Sequence, residues 1–198
     1  MRHRARIVSV TALLCSLACV TILHTVRSDL SPLSHRLSEY AEGPYGWMMT
    51  AAFITLGCGV MALGIARWAE RRRDKSAWII LATAMLAAVA MILSGVFKTG
   101  ASDFSEAIHS LASAIAVIAV VVLALAYSFA LVRRQPSAAS DPVGAGLVVT
   151  AVVLAVMSPV WHHTRWTGLS QRLMWIALFA WLLRAAWQHA PQFENETA

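Results

Sequence analysis

The sequence predicts an all-α polytopic membrane protein, an antiparallel bundle of six transmembrane helices with both termini in the cytoplasm. Hydrophobic residues make up 59% of the 198-residue chain and charged residues only 13%, whereas a soluble domain carries about a quarter charged residues. The apolar residues also gather into stretches of about twenty, the length that crosses a hydrocarbon core about 30 Å thick. Six such stretches occur, over residues 7–26, 47–66, 77–97, 108–132, 143–160 and 172–189.

The apolar stretches favour helices over the strands of a membrane barrel. They are continuous, whereas a barrel strand alternates and spans about ten residues. A helix also satisfies its backbone groups within the segment, as lipid requires. The first stretch follows basic residues, as a signal peptide does, but no small-x-small cleavage site follows it, so we interpret it as a membrane helix. We therefore expect one transmembrane domain over residues 1–190 and a disordered tail over 191–198.

Small residues predict which helices lie inside the bundle, because they let helix backbones approach closely in lipid. The second helix carries Gly57, Gly59 and Gly64, and the fifth opens with Gly144 and Gly146. The fourth opens with a run of Ser and Ala. We expect these three helices to be interior and the first and sixth to be more peripheral.

The distribution of basic residues orients the bundle, because Lys and Arg accumulate in cytoplasmic loops. Eleven of the sixteen Lys and Arg residues fall on the side of the N-terminus, five of them between residues 67 and 75. The net charge of +6 is therefore a topology signal. The basic residues are spread over several turns without interleaved aromatics, so we expect membrane lipids as partners and no nucleic acid.

The loops on the opposite, outer side hold most of the unusual polar residues, and ionisable groups near a membrane point to function. Each outer loop supplies a histidine, among them His35, His109 and His162. Three histidines and a water form a catalytic zinc site, in which Asp103 could orient a ligand. His24 and His109 offer a bis-histidine haem. No HExxH spacing is present, so a metal-free polar site and plain interfacial histidines remain open.

Three segments, residues 37–49, 97–109 and 168–173, resemble the domain-of-unknown-function 998 family of bacterial integral membrane proteins. The likeness spans nearly the whole chain. It implies six helices in the bacterial cytoplasmic (inner) membrane, shared polar residues in the outer loops, and no established activity. Where the family tends to carry Phe-Pro-Thr-Asp, this chain has Phe97-Lys98-Thr99-Gly100, with Asp103 three residues later. The matching polar and turn positions are Ser38, Glu39, Tyr40, Gly43, Pro44, His109, Gln171 and Arg172.

Two functions from different classes are compatible with these residues, and the sequence identifies no reaction. The first is a cofactor-free pocket at the outer face that binds a lipid headgroup or a small ligand. Arg172 would meet a phosphate or carboxylate there, and Glu39 would pair with Arg172 or with a cationic group. The alternative is a metal-dependent membrane hydrolase, with zinc on His109 and His162 and carboxylates in acid–base work. The ligand-binding residues expected under the first are Ser38, Glu39, Tyr40, Asp103, His109, His162 and Arg172.

Overall fold

The computed structural model describes residues 2–70, 74–133, 142–161 and 164–187, and these ranges contain helices and connections but no β-strand. The all-α prediction is therefore confirmed for the described residues. A short 3-10 helix, Leu37–Ala41, lies in the connection between the first two α-helices. The α-helices within these ranges are α1 (Arg2–Val26), α2 (Gly46–Glu70), α3 (Lys75–Val96), α4 (Asp103–Val132), α5 (Pro142–Trp161) and α6 (Thr167–Trp187).

Several helices begin before the apolar stretch that predicted them, because polar caps precede the apolar residues. Ser102 caps α4 by accepting a hydrogen bond from the Ser105 amide at 3.1 Å. Asp74 caps α3 in the same way, accepting from the Ser76 amide at 3.0 Å. Such a cap satisfies one of the amides that a helix start leaves unpaired. The expected tail over residues 191–198 lies outside the described residues.

Four of the helices are long and apolar enough to cross a membrane, by length and composition, within the described residues. They are α1 from His3 onward, α2, α3 and α4. The apolar part of α5 is shorter, Pro142–Met157, and α6 carries Arg172 and Arg184 within its length.

The helices alternate in direction, which gives the bundle two chemically different ends. At one end α1, α3 and α5 finish and α2, α4 and α6 begin; we call it the loop end because it holds the long connection between α1 and α2. At the opposite end, which we call the basic end, lie Arg6, Arg67, Lys75 and Arg133. Each of the pairs α1–α2, α2–α3, α3–α4 and α5–α6 packs extensively, while α4 meets α5 and α6 over much smaller areas.

Close packing around α2 depends on small residues, as the sequence predicted. A Cβ added to Gly57 would lie 2.9 Å from the Ala88 carbonyl oxygen of α3. One added to Gly64 would overlap the Cβ of Ala84. On the α1 side, Ser9 donates a hydrogen bond to the Gly59 carbonyl and Ser16 donates one to the Ala52 carbonyl, both at 2.8 Å. These donors hold α1 against α2 where apolar surface alone gives no drive for association in lipid.

Replacing Gly64 with alanine is expected to destabilise the protein by about 1–3 kcal/mol, the usual cost of overpacking a tight interface. The neighbouring atom is the Cβ of Ala84, which cannot rotate away. Gly146→Ala is the matched control, because a Cβ on Gly146 of α5 meets nothing within 4 Å. The melting temperature of both variants in one detergent is the measurement. Equal losses would contradict the packing argument.

The expected division into interior and peripheral helices is wrong for α5 and α6. Eleven residues of α6 are buried, including Phe179, Trp181 and Leu182. On α5 the two glycines differ, since Gly144 is buried whereas Gly146 is exposed and a Cβ there would meet nothing within 4 Å. The buried surface of α6 mixes large side chains with small ones such as Ala177 and Ala185, so a count of small residues did not identify it.

At the basic end, a polar network built on Arg67 holds the helices together. Arg67 is buried, at 5% exposure. Its Nη2 donates to the Ala185 carbonyl of α6 at 2.6 Å, and its Nη1 pairs with Glu70 at 2.9 Å. Glu70 also accepts from Arg6 of α1 at 3.1 Å. Close by, the rings of Tyr127 on α4 and Trp181 on α6 stack edge-on, 5.6 Å apart, so α4 and α6 meet at this end of the bundle.

Candidate functional site

A cavity of about 1130 Å³ lies between the loop-end parts of α1, α2 and α4 and the length of α6, with Ala155 of α5 on its wall. Polar side chains line the part nearest the loop end, and apolar side chains line the remainder. The polar residues are Ser16, Thr21, His24, Arg36, Ser38, Thr99, Glu106, His109, Ser110, Ser113, Gln171 and Arg172.

Arg172 is the central polar residue of this wall. It lies one turn into α6, with 9% of its surface exposed. Its Nη1 donates to the His35 carbonyl at 2.7 Å and to the Gly168 carbonyl at 2.9 Å. Its Nε donates to Nε2 of His24 at 2.8 Å. The remaining nitrogen, Nη2, is buried and has no hydrogen-bond partner among the described residues. All the partners are neutral, so no carboxylate balances the guanidinium charge through these bonds.

His24 of α1 and Tyr40 of the 3-10 helix both contact the Arg172 guanidinium. Nδ1 of His24 lies 2.7 Å from the Val20 carbonyl, which can only accept, so Nδ1 carries the proton and Nε2 is free to accept from Arg172. The Tyr40 ring lies 5.5 Å from the guanidinium carbon, within cation–π range. Tyr40 is fully buried and donates its hydroxyl to the Leu30 carbonyl at 3.1 Å.

The connection between α1 and α2 covers the start of α6 through backbone contacts. The Leu169 amide donates to the Leu33 carbonyl at 3.0 Å, and the Leu37 amide donates to the Gln171 side-chain oxygen at 2.7 Å. Gly168 makes this contact possible. A Cβ there would lie 2.6 Å from the Pro32 carbonyl oxygen and closer still to that of His35.

Arg27 holds the two ends of the same connection together. It pairs with Asp29 through Nε and Nη2, the closest approach being 2.8 Å, and its Nη1 donates to the Glu42 carbonyl. The hydrogen bonds from Arg27 lower the pKa of the Asp29 carboxyl below its usual range. This ion pair and the bond to the Glu42 carbonyl together join the start of the connection to its end.

Across the cavity, His109 lies at the junction of α3 and α4. Its Nδ1 lies 2.8 Å from the Ser94 carbonyl and 3.0 Å from the Phe97 carbonyl. Both oxygens only accept, so Nδ1 carries the proton and Nε2 is left as an acceptor. The Ser113 hydroxyl lies 3.4 Å from that Nε2 and 3.1 Å from the Ser94 hydroxyl. The Thr99 hydroxyl on the same wall is buried and has no partner among the described residues.

Residues 10–188 match the family described as "Protein of unknown function (DUF998)". The chain belongs to this family. No curated protein and no solved structure is significantly similar to it. The resemblance of the three segments to the domain-of-unknown-function 998 family is thus confirmed over most of the chain.

In this DUF998 protein the structure brings several of the predicted ligand-binding residues together. Ser38, His109 and Arg172 line the cavity, and Tyr40 lies directly against Arg172. Asp103 is exposed in the first turn of α4 and does not belong to the described cavity wall. His162 lies outside the described residues.

Glu39 and Arg172 do not form the expected direct ion pair among the described residues, although Glu39 attracts the Arg172 guanidinium from a distance; a headgroup shared by the two stays a prediction. The Glu39 carboxylate instead accepts from the Arg36 amide at 3.0 Å and lies 3.6 Å from the Arg36 guanidinium. The reason is local: Glu39 is three residues after Arg36 in the 3-10 helix, where it closes a capping box on its own backbone. Arg172 instead donates hydrogen bonds to His24 and to the carbonyls of His35 and Gly168.

The zinc hypothesis stays a prediction, because its second ligand, His162, lies outside the described residues. Among those that are described, no three His, Cys, Asp or Glu side chains are grouped closely enough to hold a metal ion. The bis-histidine haem fits the structure poorly. Both ring nitrogens of His24 are engaged, one by the Val20 carbonyl and one by Arg172.

Sequence reasoning missed the roles of His24, Thr99 and Ser113. His24 lies near the end of α1, at the depth of Arg172, but the sequence suggests for it only the role of a haem ligand. A search for a neutral acceptor at the depth of Arg172 would have found it. Thr99 and Ser113 give no such signal, since a hydroxyl near a helix end usually bonds to its own backbone.

Proposed function

We propose that this DUF998 protein crosses the bacterial cytoplasmic membrane six times, with both termini inside. The loop end is then the outer end and the basic end is cytoplasmic. The positive-inside rule supports this orientation, because most of the Lys and Arg residues belong to the basic end. The length of α5 and α6, 20 and 21 residues, is sufficient to span with little tilt.

Cysteine labelling tests the orientation in a variant whose three native cysteines are replaced. Ser34→Cys and Thr164→Cys, both exposed at the loop end, are expected to react with a membrane-impermeant maleimide added to intact cells. Lys75→Cys, exposed at the basic end, is expected to react only after the cells are opened. The reverse pattern would show that the bundle is inverted.

At the outer end we place a binding site for the anionic headgroup of a lipid or of a small ligand. The observation that carries this proposal is the buried, unpartnered Nη2 of Arg172, a residue that lines a large cavity. A buried charge is costly unless it is paired. The three neutral acceptors around Arg172 position the guanidinium but do not balance its charge.

A phosphate or carboxylate is the group that completes this arrangement. Its oxygens accept charge-assisted hydrogen bonds, which are about twice as strong as neutral ones. Because Nε and Nη1 are already committed, the guanidinium has Nη2 to offer, and Arg172 would hold the anion through that edge. Thr99, whose buried hydroxyl also has no partner among the described residues, lines the opposite wall with His109.

The test is the thermal stability of the purified protein with and without sn-glycerol 1-phosphate, a headgroup that lacks any chain. A ligand at about 100 times its Kd stabilises a protein by about 2.7 kcal/mol, so the melting temperature is expected to rise by several degrees. Glycerol at the same concentration is the uncharged control. The rise should disappear in Arg172→Gln and persist in Arg165→Gln, whose arginine is exposed at the same end. A rise that is equal in both variants would contradict the site.

A further inference from the structure

The part of the cavity away from the loop end is apolar, and the proposed headgroup site does not account for it. Its wall there consists of side chains such as Leu56 of α2, Val117 of α4, and Phe179 and Leu183 of α6. The volume of about 1130 Å³ also exceeds the ~300–1,000 Å³ of pockets that take drug-sized ligands. A small polar anion would fill only the end at Arg172, so the ligand has a long apolar part as well.

We take the cavity to open on the flank between α4 and α6, because wall residues of both helices are exposed there. Ile118 of α4 and Ile176 of α6 both line it, yet they expose 63% and 62% of their surfaces. The two helices meet near the basic end through Tyr127 and Trp181, and the cavity separates them towards the loop end. At a rise of about 1.5 Å per residue, Ile118 lies roughly 22 Å and Ile176 roughly 13 Å from the start of its helix. This opening is therefore at the depth of lipid chains.

We infer that the ligand is a membrane lipid with an anionic headgroup, which moves sideways between α4 and α6 from the outer half of the bilayer. This inference rests on the proposed function. The headgroup of the bound lipid lies against Arg172, and its acyl chain lies along the apolar wall of the cavity. The lateral route keeps the chain in apolar surroundings and the headgroup at headgroup level throughout, so neither part crosses an unfavourable medium.

Selectivity in such a site comes from the headgroup. Moving a chain from bilayer to an apolar cavity gains little, because both surroundings exclude water. Pairing the buried guanidinium with an anion does yield a gain, because the charge is then neutralised and hydrogen-bonded. An anionic lipid is therefore expected to be held in preference to a zwitterionic one with the same chains.

A photoreactive lipid tests the inference directly. The probe is phosphatidylglycerol with a diazirine near the end of one acyl chain, present at low density in phosphatidylcholine vesicles that contain the protein. Labelled peptides are mapped by mass spectrometry. The cavity wall around Phe179 and Leu183 is expected to be labelled at least about fivefold more by this probe than by the matching phosphatidylcholine probe. Exposed residues of α3, such as Leu86 and Val89, report bulk lipid and should label equally with both.

Two variants separate the chain from the headgroup. Ala114→Trp narrows the cavity from α4, at a position where the alanine lines the wall and is exposed. It is expected to abolish the preferential labelling of α6 while leaving the stabilisation by glycerol phosphate intact. Leu111→Trp is the control, since Leu111 is 65% exposed and lies outside the described cavity wall, and it should label like the natural protein. Size-exclusion profiles confirm that each variant folds.

The outcomes are distinguishable. Loss of preferential labelling in Arg172→Gln and Ala114→Trp, but not in Leu111→Trp, supports the lipid and its route. If glycerol phosphate stabilises the protein but both probes label it equally, the lipid is not the ligand, and the anion site at Arg172 remains supported. Absence of both effects overturns the two proposals together.

Discussion

Replacing Arg172 with glutamine is expected to destabilise the protein by about 3 kcal/mol, the largest effect at the loop end. The change leaves His24 Nε2 and the His35 carbonyl without their donor, and each buried acceptor that loses its partner costs about 1–3 kcal/mol. Glutamine offers a single donor nitrogen on a shorter side chain, which cannot reach all three acceptors at once. The melting temperature should fall by about 6–12 °C for a protein of this size, whereas Arg165→Gln should change it by no more than about 1 °C because that arginine is exposed.

Double substitutions identify the partner of Arg172. His24→Leu combined with Arg172→Gln should cost less than the sum of the two single changes, because both remove the same 2.8 Å hydrogen bond. Glu39→Gln combined with Arg172→Gln should be additive within about 0.5 kcal/mol, because Glu39 pairs with Arg36. Non-additivity with Glu39 and additivity with His24 would show that the Arg172 side chain is placed differently.

Gly168→Ala is expected to release the connection between α1 and α2 from α6, at a cost of about 1–3 kcal/mol. The added Cβ would overlap the His35 carbonyl oxygen and lie 2.6 Å from that of Pro32. Both are backbone atoms that cannot rotate away, so the connection itself must shift. Hydrogen exchange should become faster at the Leu169 amide, which donates to Leu33, and at the Leu37 amide, which donates to Gln171.

Gly146→Ala again serves as the control for that prediction, because its Cβ has open space. Protection of Leu37 and Leu169 that is unchanged in Gly168→Ala would contradict the role given to Gly168. Gly168→Ala is also expected to affect ligand binding. The connection between α1 and α2 holds Arg172 through the His35 carbonyl, so stabilisation by glycerol phosphate should weaken when the connection moves away from α6.

The helices could be predicted from the sequence because their signal is local. A run of apolar residues has the length of a membrane span whatever surrounds it, and the observed bounds differ from the predicted ones mainly where a cap such as Asp74 or Ser102 lies outside the run. The burial of α6 could not be predicted in this way. Its interface uses Phe179, Trp181 and Leu182, and a large apolar side chain looks the same in a sequence whether it meets lipid or protein.

The candidate site was predictable in its residues and not in its contacts. Arg172, His109 and Ser38 were expected at one end of the bundle, and they line one cavity there. Charge alone predicts Glu39 as the partner of Arg172. In the structure Glu39 bonds within its own capping box. The side-chain partner of Arg172 is His24 of α1, which is 148 residues away in the chain. A contact of that separation depends on how the helices associate, which a single sequence does not reveal.

The most direct test of the central claim is an experimental density map of the protein reconstituted in nanodiscs of phosphatidylcholine and phosphatidylglycerol. We expect elongated density in the cavity, with its polar end within hydrogen-bond distance of Arg172 Nη2 and its tail along Phe179 and Leu183. The density should be absent from a map of Arg172→Gln in the same lipids. A cavity occupied only by water, or a closed bundle in which Arg172 meets a carboxylate of the chain, would contradict the account.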